Sequence, residues 1–501
     1  MPTGACLLVC LAFCLCTAAR PAQKGASALE YRILVRRLDR SQTIAGDFDH
    51  EMQSKPSALA MLNRTHVSSS ADVEVFRVSN TALDPFEACE ALQLHNADVE
   101  LCEADQRLSI AATSASPNDP RYSDQTYLAN ISVPAAWRTG QLGTASVRVC
   151  VVDTGLDYTH PDLVANLWNN PAERTGPGAN AANGYQNGVD DDNNGIIDDL
   201  WGADFTDGAS DGKVEDQNGH GTAVAGIIGA VGNNGQGITG INQVASIITC
   251  RFMDSTGNGF ASDAIRCLDY CTAMGAHVIT LSAGGTAQSS ALQTAISAAT
   301  ARGVLLVASA GNNDGSDDTT AHYPASLSDP GIIAVGASTS NKTLWSGSNY
   351  GKNTVAMLAP GVNILSTGLG GTYTTTSGTS MAAPMVAGAA ALLLAQFAQN
   401  GANISTQAPN MGLARQVKSL LLANADPLSA ADAGKVGGGF LNVAAALAAV
   451  PQGGSLAVPT QAPPNAAAFD PSVDAADDPM QKSDPGGGNA ELSIDAEHSY
   501  P

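Results

Sequence analysis

The chain has 501 residues, of which 44% are hydrophobic, so it is too long for one small domain and can bury a sizeable core. Its 47 acidic residues outnumber its 24 basic residues, and the formal net charge is −23. Such a charge argues against nucleic acid or an anionic membrane as a partner. It suits a soluble, secreted protein that binds cations.

Residues 1–19 form a short apolar run that ends in small residues, with Thr17 and Ala19 suited to a cleavage site before Arg20. The run has no Lys or Arg before it, which departs from the usual pattern, but it is too short to span a bilayer comfortably. We interpret it as a signal peptide. No other segment suggests a membrane anchor, so the sequence predicts a protein that is secreted or held in a secretory organelle.

Residues 20–113 have the pattern of a small α+β module. Alternating apolar residues predict strands at Tyr31–Val35, Asp72–Val78 and Val99–Glu103, and Pro85–Leu94 is predicted to be helical. The end of this module, residues 109–118, is rich in small and polar residues and is the kind of segment that proteases cut.

Residues 114–450 alternate between predicted strands and helices, which indicates an α/β domain with a parallel sheet and helices on both faces. The active site of such a domain lies at the carboxyl ends of the strands. The predicted elements are 147–153, 220–230, 245–253, 262–274, 277–282, 291–302, 304–310, 332–336 and 385–398.

Three residues in this region are candidates for acyl-transfer chemistry. Asp153 ends a β-branched run at a glycine turn, His220 opens a helix of small residues, and Ser380 precedes a long apolar helix. A serine hydroxyl becomes a nucleophile only when an imidazole accepts its proton and a carboxylate orients that imidazole. A serine at a helix start is otherwise usually an N-cap.

The segments around these residues, DTGLDYTHPDL, NGHGTAVAGII and GTSMAAP, resemble the three catalytic motifs of the subtilisin-like serine proteases. The resemblance implies a three-layer α/β fold with Ser380 as nucleophile, His220 as general base and Asp153 as the orienting acid. Asn312 is similar in position to the family's oxyanion-hole asparagine, and an Asn-Asn turn, which fits composition alone, is the alternative.

The resemblance also assigns residues 20–113 as a propeptide that templates folding and inhibits the enzyme. An unrelated accessory domain remains the alternative. Protein or peptide substrates and the chain's own propeptide are therefore the expected partners of a monomer. The family's substrate-binding segment is matched by Ser282, Ala283 and Gly284, where the small Ala283 would open the pocket for the fourth residue before the cut.

The walls of the primary pocket are matched by Ser309, Ala310 and Gly311. His322 lies either near the base of that pocket or on the surface, and we expect the surface.

Calcium is the expected cofactor, first because residues 190–201 have part of an EF-hand pattern. The residue at the twelfth position is Trp201 instead of the usual glutamate, so another carboxylate must complete the set, and a solvated acidic turn is the alternative. The candidate ligands in this loop are Asp190, Asp192, Asn194, Ile196, Asp198 and Asp199.

A second calcium site is implied by the resemblance. Asp162 matches a ligand of many subtilisins, the loop 232–238 is similar to the loop that wraps the same ion, and Asp119 would add an oxygen from the mature N-terminus. The full candidate set is Asp119, Asp162, Gly232, Asn234, Gln236 and Ile238.

The chain has ten cysteines, four of which lie in the predicted signal peptide. Cys89 and Cys102 form a pair in the predicted propeptide. Cys150, Cys250, Cys267 and Cys271 lie in the catalytic region, where their connectivity stays open. Cys267 and Cys271 are one helical turn apart with nearly parallel Cβ vectors and suit no mutual bridge, and Cys150 or Cys250 could be unpaired strand residues.

Residues 451–501 are rich in Pro, Ala, Gly and Asp and cannot build a core, so they are predicted to be a disordered acidic tail. Sequons at Asn63, Asn130, Asn341 and Asn403 suit a secreted glycoprotein. The sequence as a whole predicts a calcium-stabilised serine endopeptidase made as a self-processing zymogen. The alternatives are a catalytically silent peptide-binding protein on the same scaffold and an exopeptidase.

Overall fold

The structure is a computed structural model, and it describes residues 31–37, 62–68, 73–78, 99–104, 116–174, 187–404, 411–451 and 491–493. The chain divides into two compact units, residues 1–111 and 112–501. The predicted signal peptide, the predicted helix Pro85–Leu94 and most of the predicted tail lie outside the described residues.

The first unit contains an antiparallel sheet with the strand order β2-β3-β1-β4. Three of these strands match predicted strands. The fourth, β2, was missed because its sequence LNRTHVS is mostly polar and gives no apolar alternation. The strands are β1 (Tyr31–Arg37), β2 (Leu62–Ser68), β3 (Val73–Val78) and β4 (Val99–Ala104).

The second unit is built on a seven-stranded sheet with the order β12-β11-β10-β9-β5-β7-β6. All its neighbouring strands are parallel, as the alternation of strands and helices predicted. The strands are β5 (Gly143–Asp153), β6 (Gly202–Asp204), β7 (Val244–Arg251), β9 (Val278–Leu281), β10 (Leu305–Ser309), β11 (Ile332–Ser338) and β12 (Met357–Pro360).

Two short antiparallel pairs lie outside this sheet in the same unit. Strands β13 (Ile364–Gly368) and β14 (Thr372–Thr376) form a hairpin ahead of Ser380. Strand β8 (Asn258–Phe260) pairs with β15 (Glu491–Ser493), so the tail forms a strand at three residues where none was predicted.

Helices cover both faces of the sheet. Successive residues of a strand point to opposite faces, and Val149 and Val151 of β5 join one core cluster while Cys150 and Val152 join another. The helices are α1 (Thr126–Asn130), α2 (Val133–Trp137), α3 (His220–Gly229), α4 (Ala261–Ala273), α5 (Ser290–Ala301), α6 (Thr379–Gln399), α7 (Met411–Ala423) and α8 (Val443–Ala448). Helices α3 and α6 pack in the first cluster, and α4 and α5 pack in the second.

Helix α6 is the central helix of the first cluster. It has 21 residues and a mean hydropathy of 1.7 over its most apolar window, enough to cross a membrane by length and composition. However, 89% of that window is buried, and the helix packs on strands β5 and β9 to β12. Among the described residues this is the one helix that meets the criterion, and its surroundings are those of a core helix.

Two disulfides attach helix α4 to the sheet, Cys150–Cys271 and Cys250–Cys267. In the parallel register Val152 lies opposite Cys250, so the two strand cysteines are offset by two residues, about 6.6 Å along a strand. Cys267 and Cys271 are four residues apart on the helix, which corresponds to a rise of about 6 Å. The two spacings match, so both disulfides can form together. The expectation that Cys267 and Cys271 do not pair with each other is confirmed. The alternative of unpaired Cys150 or Cys250 is wrong. Cys102 is also disulfide-bonded, and its predicted partner Cys89 lies outside the described residues.

Candidate active site

Asp153 and His220 form a buried pair at the carboxyl edge of the sheet. Asp153 is the last residue of β5, and His220 is the first residue of α3. His220 Nδ1 lies 2.7 Å from Asp153 Oδ1, and the two side chains are 3% and 1% exposed. The same carboxylate oxygen accepts the Thr154 N–H at 2.8 Å, which fixes its orientation. In the dry interior such a carboxylate holds the imidazole in one tautomer.

Gly221 allows helix α3 to approach the strand so closely. A Cβ at this position would lie 2.2 Å from the Gly155 carbonyl oxygen and 3.2 Å from the Asp153 Cβ, and a contact of 2.2 Å is impossible without movement of the backbone. Any larger residue would push His220 away from Asp153. The glycine after the histidine is therefore a geometric requirement of the pair.

Asp216 holds the turn that precedes His220, and the sequence analysis did not single it out. Its buried carboxylate accepts the Thr154 hydroxyl at 2.9 Å, the Gly219 N–H at 2.8 Å and the Thr222 hydroxyl at 2.7 Å. These bonds join the segment after Asp153 to the start of α3. Asp216 is thus a positioning residue for both members of the pair.

Ser380 and Asn312 both approach Gly378. A Cβ added to Gly378 would lie 3.0 Å from Ser380 Oγ and 3.2 Å from Asn312 Nδ2, so the hydroxyl and the amide adjoin the same small space. Helix α6 begins at Thr379 after the N-cap residue Gly378 and has no side-chain cap. Ser380 is therefore not an N-cap, and its hydroxyl lies in the first turn, where the helix dipole favours negative charge.

Thr379 sets the orientation of the Asn312 amide. The Thr379 N–H and hydroxyl donate to Asn312 Oδ1 at 2.9 and 3.0 Å, and the same hydroxyl accepts the Gly311 N–H at 3.1 Å. With its oxygen held in this way, Asn312 directs its NH₂ toward the space beside Ser380. An amide donor at that place can stabilise an oxyanion that forms on a carbonyl attacked by Ser380.

The family comparison agrees with this geometry. The model of the subtilase family, peptidase family S8, matches residues 144–448. The chain belongs to the subtilase family. Thermitase of Thermoactinomyces vulgaris is 36% identical to this subtilase over 281 residues, which are 56% of this chain and 86% of the relative.

Two further relatives differ in how much of them is covered. The thermophilic serine proteinase of Bacillus sp. AK1 is 35% identical over 353 residues, 70% of this chain and 76% of the relative. Subtilisin-like protease 1 of Plasmodium falciparum is 36% identical over 266 residues, 50% of this chain. The subtilase spans only 37% of the length of that Plasmodium relative.

The predicted substrate segments of the subtilase lie at the carboxyl ends of β9 and β10. Ser282, Ala283 and Gly284 follow β9, which is the direct neighbour of the Asp153 strand. Ser309 ends β10, and Ala310 and Gly311 lead from it to Asn312. Both segments therefore border the catalytic edge.

His322 is buried, so the expectation that it lies on the surface is wrong. The backbones of Gly285 and Tyr323 bond to each other at 2.9 and 2.7 Å, and this pairing brings His322 beside Gly284. A Cβ on Gly284 would lie 2.2 Å from His322 Nε2, and one on Gly311 would lie 3.2 Å from its Cδ2. The imidazole, 4% exposed, thus lies between the two predicted substrate segments. No periodic pattern around His322 indicates this burial.

An acidic cluster forms where the EF-hand-like loop was predicted, but its membership differs from the prediction. Oxygen atoms of Asp190, Asp192 and Glu173 lie within 4.8 Å of one another. Glu173 precedes the loop by 17 positions and was missed by the sequence analysis, because no local pattern links it to the loop. It is fully buried, and burial, followed by the charge of Asp199, raises its pKa to about 7.

Other predicted ligands of the loop have different contacts. The Asp198 carboxylate accepts hydrogen bonds from the backbone N–H groups of Asn187 and Gly188. The Asp199 carboxylate accepts hydrogen bonds from the side-chain NH₂ groups of Asn170 and Asn194 and from the Tyr270 hydroxyl. Asn194 donates its backbone N–H to Asp190 and Asp192. Ile196 is buried in the second core cluster and donates its N–H to Asn194 Oδ1.

The second predicted cation site is centred on Asp162, which is fully buried. Its carboxylate accepts Asn234 Nδ2 at 2.7 Å and the Ile238 N–H at 2.9 Å. Asp119 accepts the N–H groups of Asn233 and Asn234. The sequence predicted that the Ile238 carbonyl would be a calcium ligand, whereas the structure shows the Ile238 N–H as a donor to Asp162. The Gly232 N–H donates to the Gln243 carbonyl beyond this loop, and the Gln236 N–H donates to Asn234 Oδ1 within it.

Loss of Asn312, the predicted oxyanion donor, should separate catalysis from binding. We expect Asn312→Ala to lower kcat by about 10²–10³ with little change in KM, because the donor acts mainly in the transition state. Thr379→Val should cause a smaller loss through misorientation of Asn312, and Thr379→Ser should restore activity. Steady-state kinetics of the three purified variants measure this. Equal kcat in wild type and Asn312→Ala would contradict the assignment.

Proposed function

We propose that the protein is a serine endopeptidase that cuts peptide bonds through an acyl-enzyme on Ser380. The proposal depends on two contacts that lie at the same edge of the sheet. One is the buried 2.7 Å contact of His220 with Asp153, and the other is the approach of Ser380 Oγ and Asn312 Nδ2 to the same space. Helices α3 and α6, which carry His220 and Ser380, pack against each other.

Each residue then has one role. His220 takes the proton of the Ser380 hydroxyl as the oxygen attacks the peptide carbonyl, and Asp153 stabilises the imidazolium that results. The Asn312 NH₂ donates to the oxyanion of the tetrahedral intermediate. His220 next gives its proton to the leaving amine, and a water molecule hydrolyses the acyl-enzyme by the same route.

A fluorophosphonate probe tests the proposal directly. The probe should label mature protein at Ser380 alone, as peptide mass spectrometry would show, and should abolish cleavage of a denatured protein substrate. The substrate should be cut at internal bonds, which separates an endopeptidase from an exopeptidase. An intact protein that neither takes the probe nor cuts the substrate would favour the peptide-binding alternative.

We propose further that the chain is secreted as a zymogen, with residues 20–113 as its inhibitory propeptide. The support is the apolar run at residues 1–19, the separate unit that ends at residue 111 and the two disulfides of the catalytic unit. Disulfides persist in oxidising compartments. Protein substrates and the propeptide are the proposed partners.

His322 is proposed to influence which substrate residue is accepted just before the cleaved bond. Its ring abuts Gly284 and Gly311, so it would limit the depth of the pocket that these segments form. We expect His322→Ala to raise kcat/KM for aromatic over alanyl residues at this position by about tenfold, since pocket volume is worth about 1–3 kcal/mol per methylene-sized change. Profiling with a peptide library measures the ratio. An unchanged ratio would place the ring outside the pocket.

Calcium is the proposed cofactor, and the acidic cluster fits it. Glu173 Oε2 is buried and has no hydrogen-bond partner among the described residues, and two more carboxylates lie within 4.8 Å. Such a group of hard oxygens repels itself without a cation, and a divalent ion with oxygen ligands would supply the missing charge. Asp190, Asp192 and Glu173 would hold it. The ion would supply structural stability only.

The site around Asp162 is proposed as a second calcium site on the resemblance to subtilisins. Burial raises the pKa of the Asp162 carboxyl, and a cation bound beside this carboxylate would offset the cost of its desolvation. Asp119, Gly232, Asn234, Gln236 and Ile238 remain its proposed partners.

Removal of calcium should destabilise the protein through Glu173. In a Ser380→Ala background, which prevents autolysis, saturating calcium at about 100 times its dissociation constant should add about 2.7 kcal/mol to the free energy of unfolding. Glu173→Gln should lose most of the gain that comes from this cluster. Asp191→Asn is the matched control, since it removes the same charge from the same loop outside the cluster. Calcium titrations followed by thermal unfolding give the comparison. An equal loss in both variants would contradict the assignment.

A further inference from the structure

Strand β15 lies in the tail segment that its composition predicted to be disordered. Its residues pair with β8 in antiparallel register, Glu491 with Phe260, Leu492 with Gly259 and Ser493 with Asn258. Gly259 also forms an isolated antiparallel β-bridge with Met253, which precedes β8 in the chain. One side of β8 is therefore closed by the preceding chain, and the other side is the edge that the tail takes.

Strand β8 belongs to a segment that borders the catalytic pair. The preceding strand β7 ends at Arg251 beside Asp153, and the Phe252 N–H donates to the Asp153 carbonyl at 3.0 Å. Asn218, two positions before His220, donates its side-chain NH₂ to the Ser255 carbonyl at 3.0 Å. The segment that leads into β8 thus contacts both Asp153 and the turn that carries His220.

The direction of the tail is that of a substrate. The amino end of β8 is the end nearer in the chain to Ser255, which contacts Asn218, and Ser493 lies opposite that end while Glu491 lies opposite the far end. The tail therefore runs toward the end of β8 that leads back to the contact between Ser255 and Asn218, two positions before His220. The part of a substrate that precedes the bond to be cut must also run toward the serine, so the tail and a substrate would use the edge in the same sense.

Added strands bind mainly through backbone hydrogen bonds, which do not depend on the side chains of the added strand. A peptide substrate that added to the same edge would therefore compete with the tail for one set of N–H and C=O groups. A segment tethered to its own site reaches an effective concentration in the millimolar range, so even a weak three-residue pairing is populated.

We propose that residues Glu491–Ser493 dock on the open edge of β8 and inhibit the enzyme in cis by competing with peptide substrates. The proposal rests on the peptidase function proposed above. Because the competition is for binding alone, it alters KM and leaves kcat unchanged. The tail is then a second inhibitory segment, separate from the propeptide.

Kinetics of tail variants test the inhibition. The chain that ends at residue 489 should show a KM for a peptide substrate about threefold to tenfold below that of the full chain, with equal kcat. Leu492→Pro combined with Ser493→Pro should act in the same way, because proline lacks the N–H of an added strand. Ala475→Pro is the matched control in the tail and should leave KM unchanged. Equal KM values in all four proteins would overturn the proposal.

Hydrogen exchange gives a readout that needs no activity. In the Ser380→Ala background, the amides of residues 258–260 should exchange faster in the chain ending at residue 489 than in the full chain. Equal exchange would overturn the docking. A tail fragment released by wild type but not by Ser380→Ala would overturn the inhibitory role, since the tail would then be a substrate. Failure of the peptidase function appears separately, as absent fluorophosphonate labelling, and leaves the exchange comparison intact.

Discussion

Ser380→Ala is expected to lower kcat for peptide hydrolysis by about six orders of magnitude, because the Ser380 hydroxyl is the group that forms the acyl-enzyme in the proposed mechanism. The same change should leave the precursor at full length if the protein processes itself, since both reactions use one nucleophile. The fold should persist, because Ser380 caps no helix and its hydroxyl lies beside a glycine.

The matched control is Ser289→Ala. Ser289 is a true N-cap, whose hydroxyl accepts the Leu292 N–H at 3.2 Å at the start of α5. Its loss should cost about 1 kcal/mol of stability and leave kcat unchanged. Mass spectrometry of the N-terminal fragment and steady-state kinetics follow both variants. Processing of the Ser380→Ala precursor at the wild-type rate would show that another protease matures the protein.

Asp153→Asn is expected to lower kcat by about 10⁴. The asparagine keeps the size of the side chain, but its amide can turn an NH₂ toward His220 Nδ1 and so stabilise the wrong tautomer. It also removes the charge that stabilises the imidazolium. Both effects are large here because the pair is almost fully buried and water cannot replace the lost interaction.

Asp269→Asn, on the outer part of α4, is the control for a change of charge alone and should leave kcat unchanged. Circular dichroism and the melting temperature establish that both variants fold. A folded Asp153→Asn protein with less than a tenfold loss of kcat would remove Asp153 from the mechanism.

The sequence analysis was most successful where the signal is local. The parallel sheet, the core helix after Ser380 and the position of His220 on the first turn of a helix are all as predicted. Each depends on a short pattern, such as a β-branched run before a glycine or a long apolar run. The strand β2 was missed because its sequence is mostly polar and has no apolar alternation, and pairing within the sheet overrides its weak propensity.

Contacts between distant segments were predicted poorly. His322 carries no mark of burial in its own neighbourhood, and the pairing of Gly285 with Tyr323 places it against Gly284. Glu173 joins Asp190 and Asp192 across a stretch of chain with no pattern that links them. Cysteine connectivity depends on the register of β5 and β7 and on the direction of α4, neither of which is encoded in the spacing of the cysteines.

The sequence by itself determined the order and the local setting of Asp153, His220 and Ser380, because each requires particular neighbours, above all glycines that permit close approach. It also determined the layers of the fold through the spacing of apolar residues. Only the tertiary structure decided which carboxylate completes the acidic cluster, where His322 lies and that the tail adds a strand to β8. These contacts form between segments that are far apart in the chain. Their free energy depends on side-chain packing and strand pairing in the folded protein, which no local sequence pattern specifies.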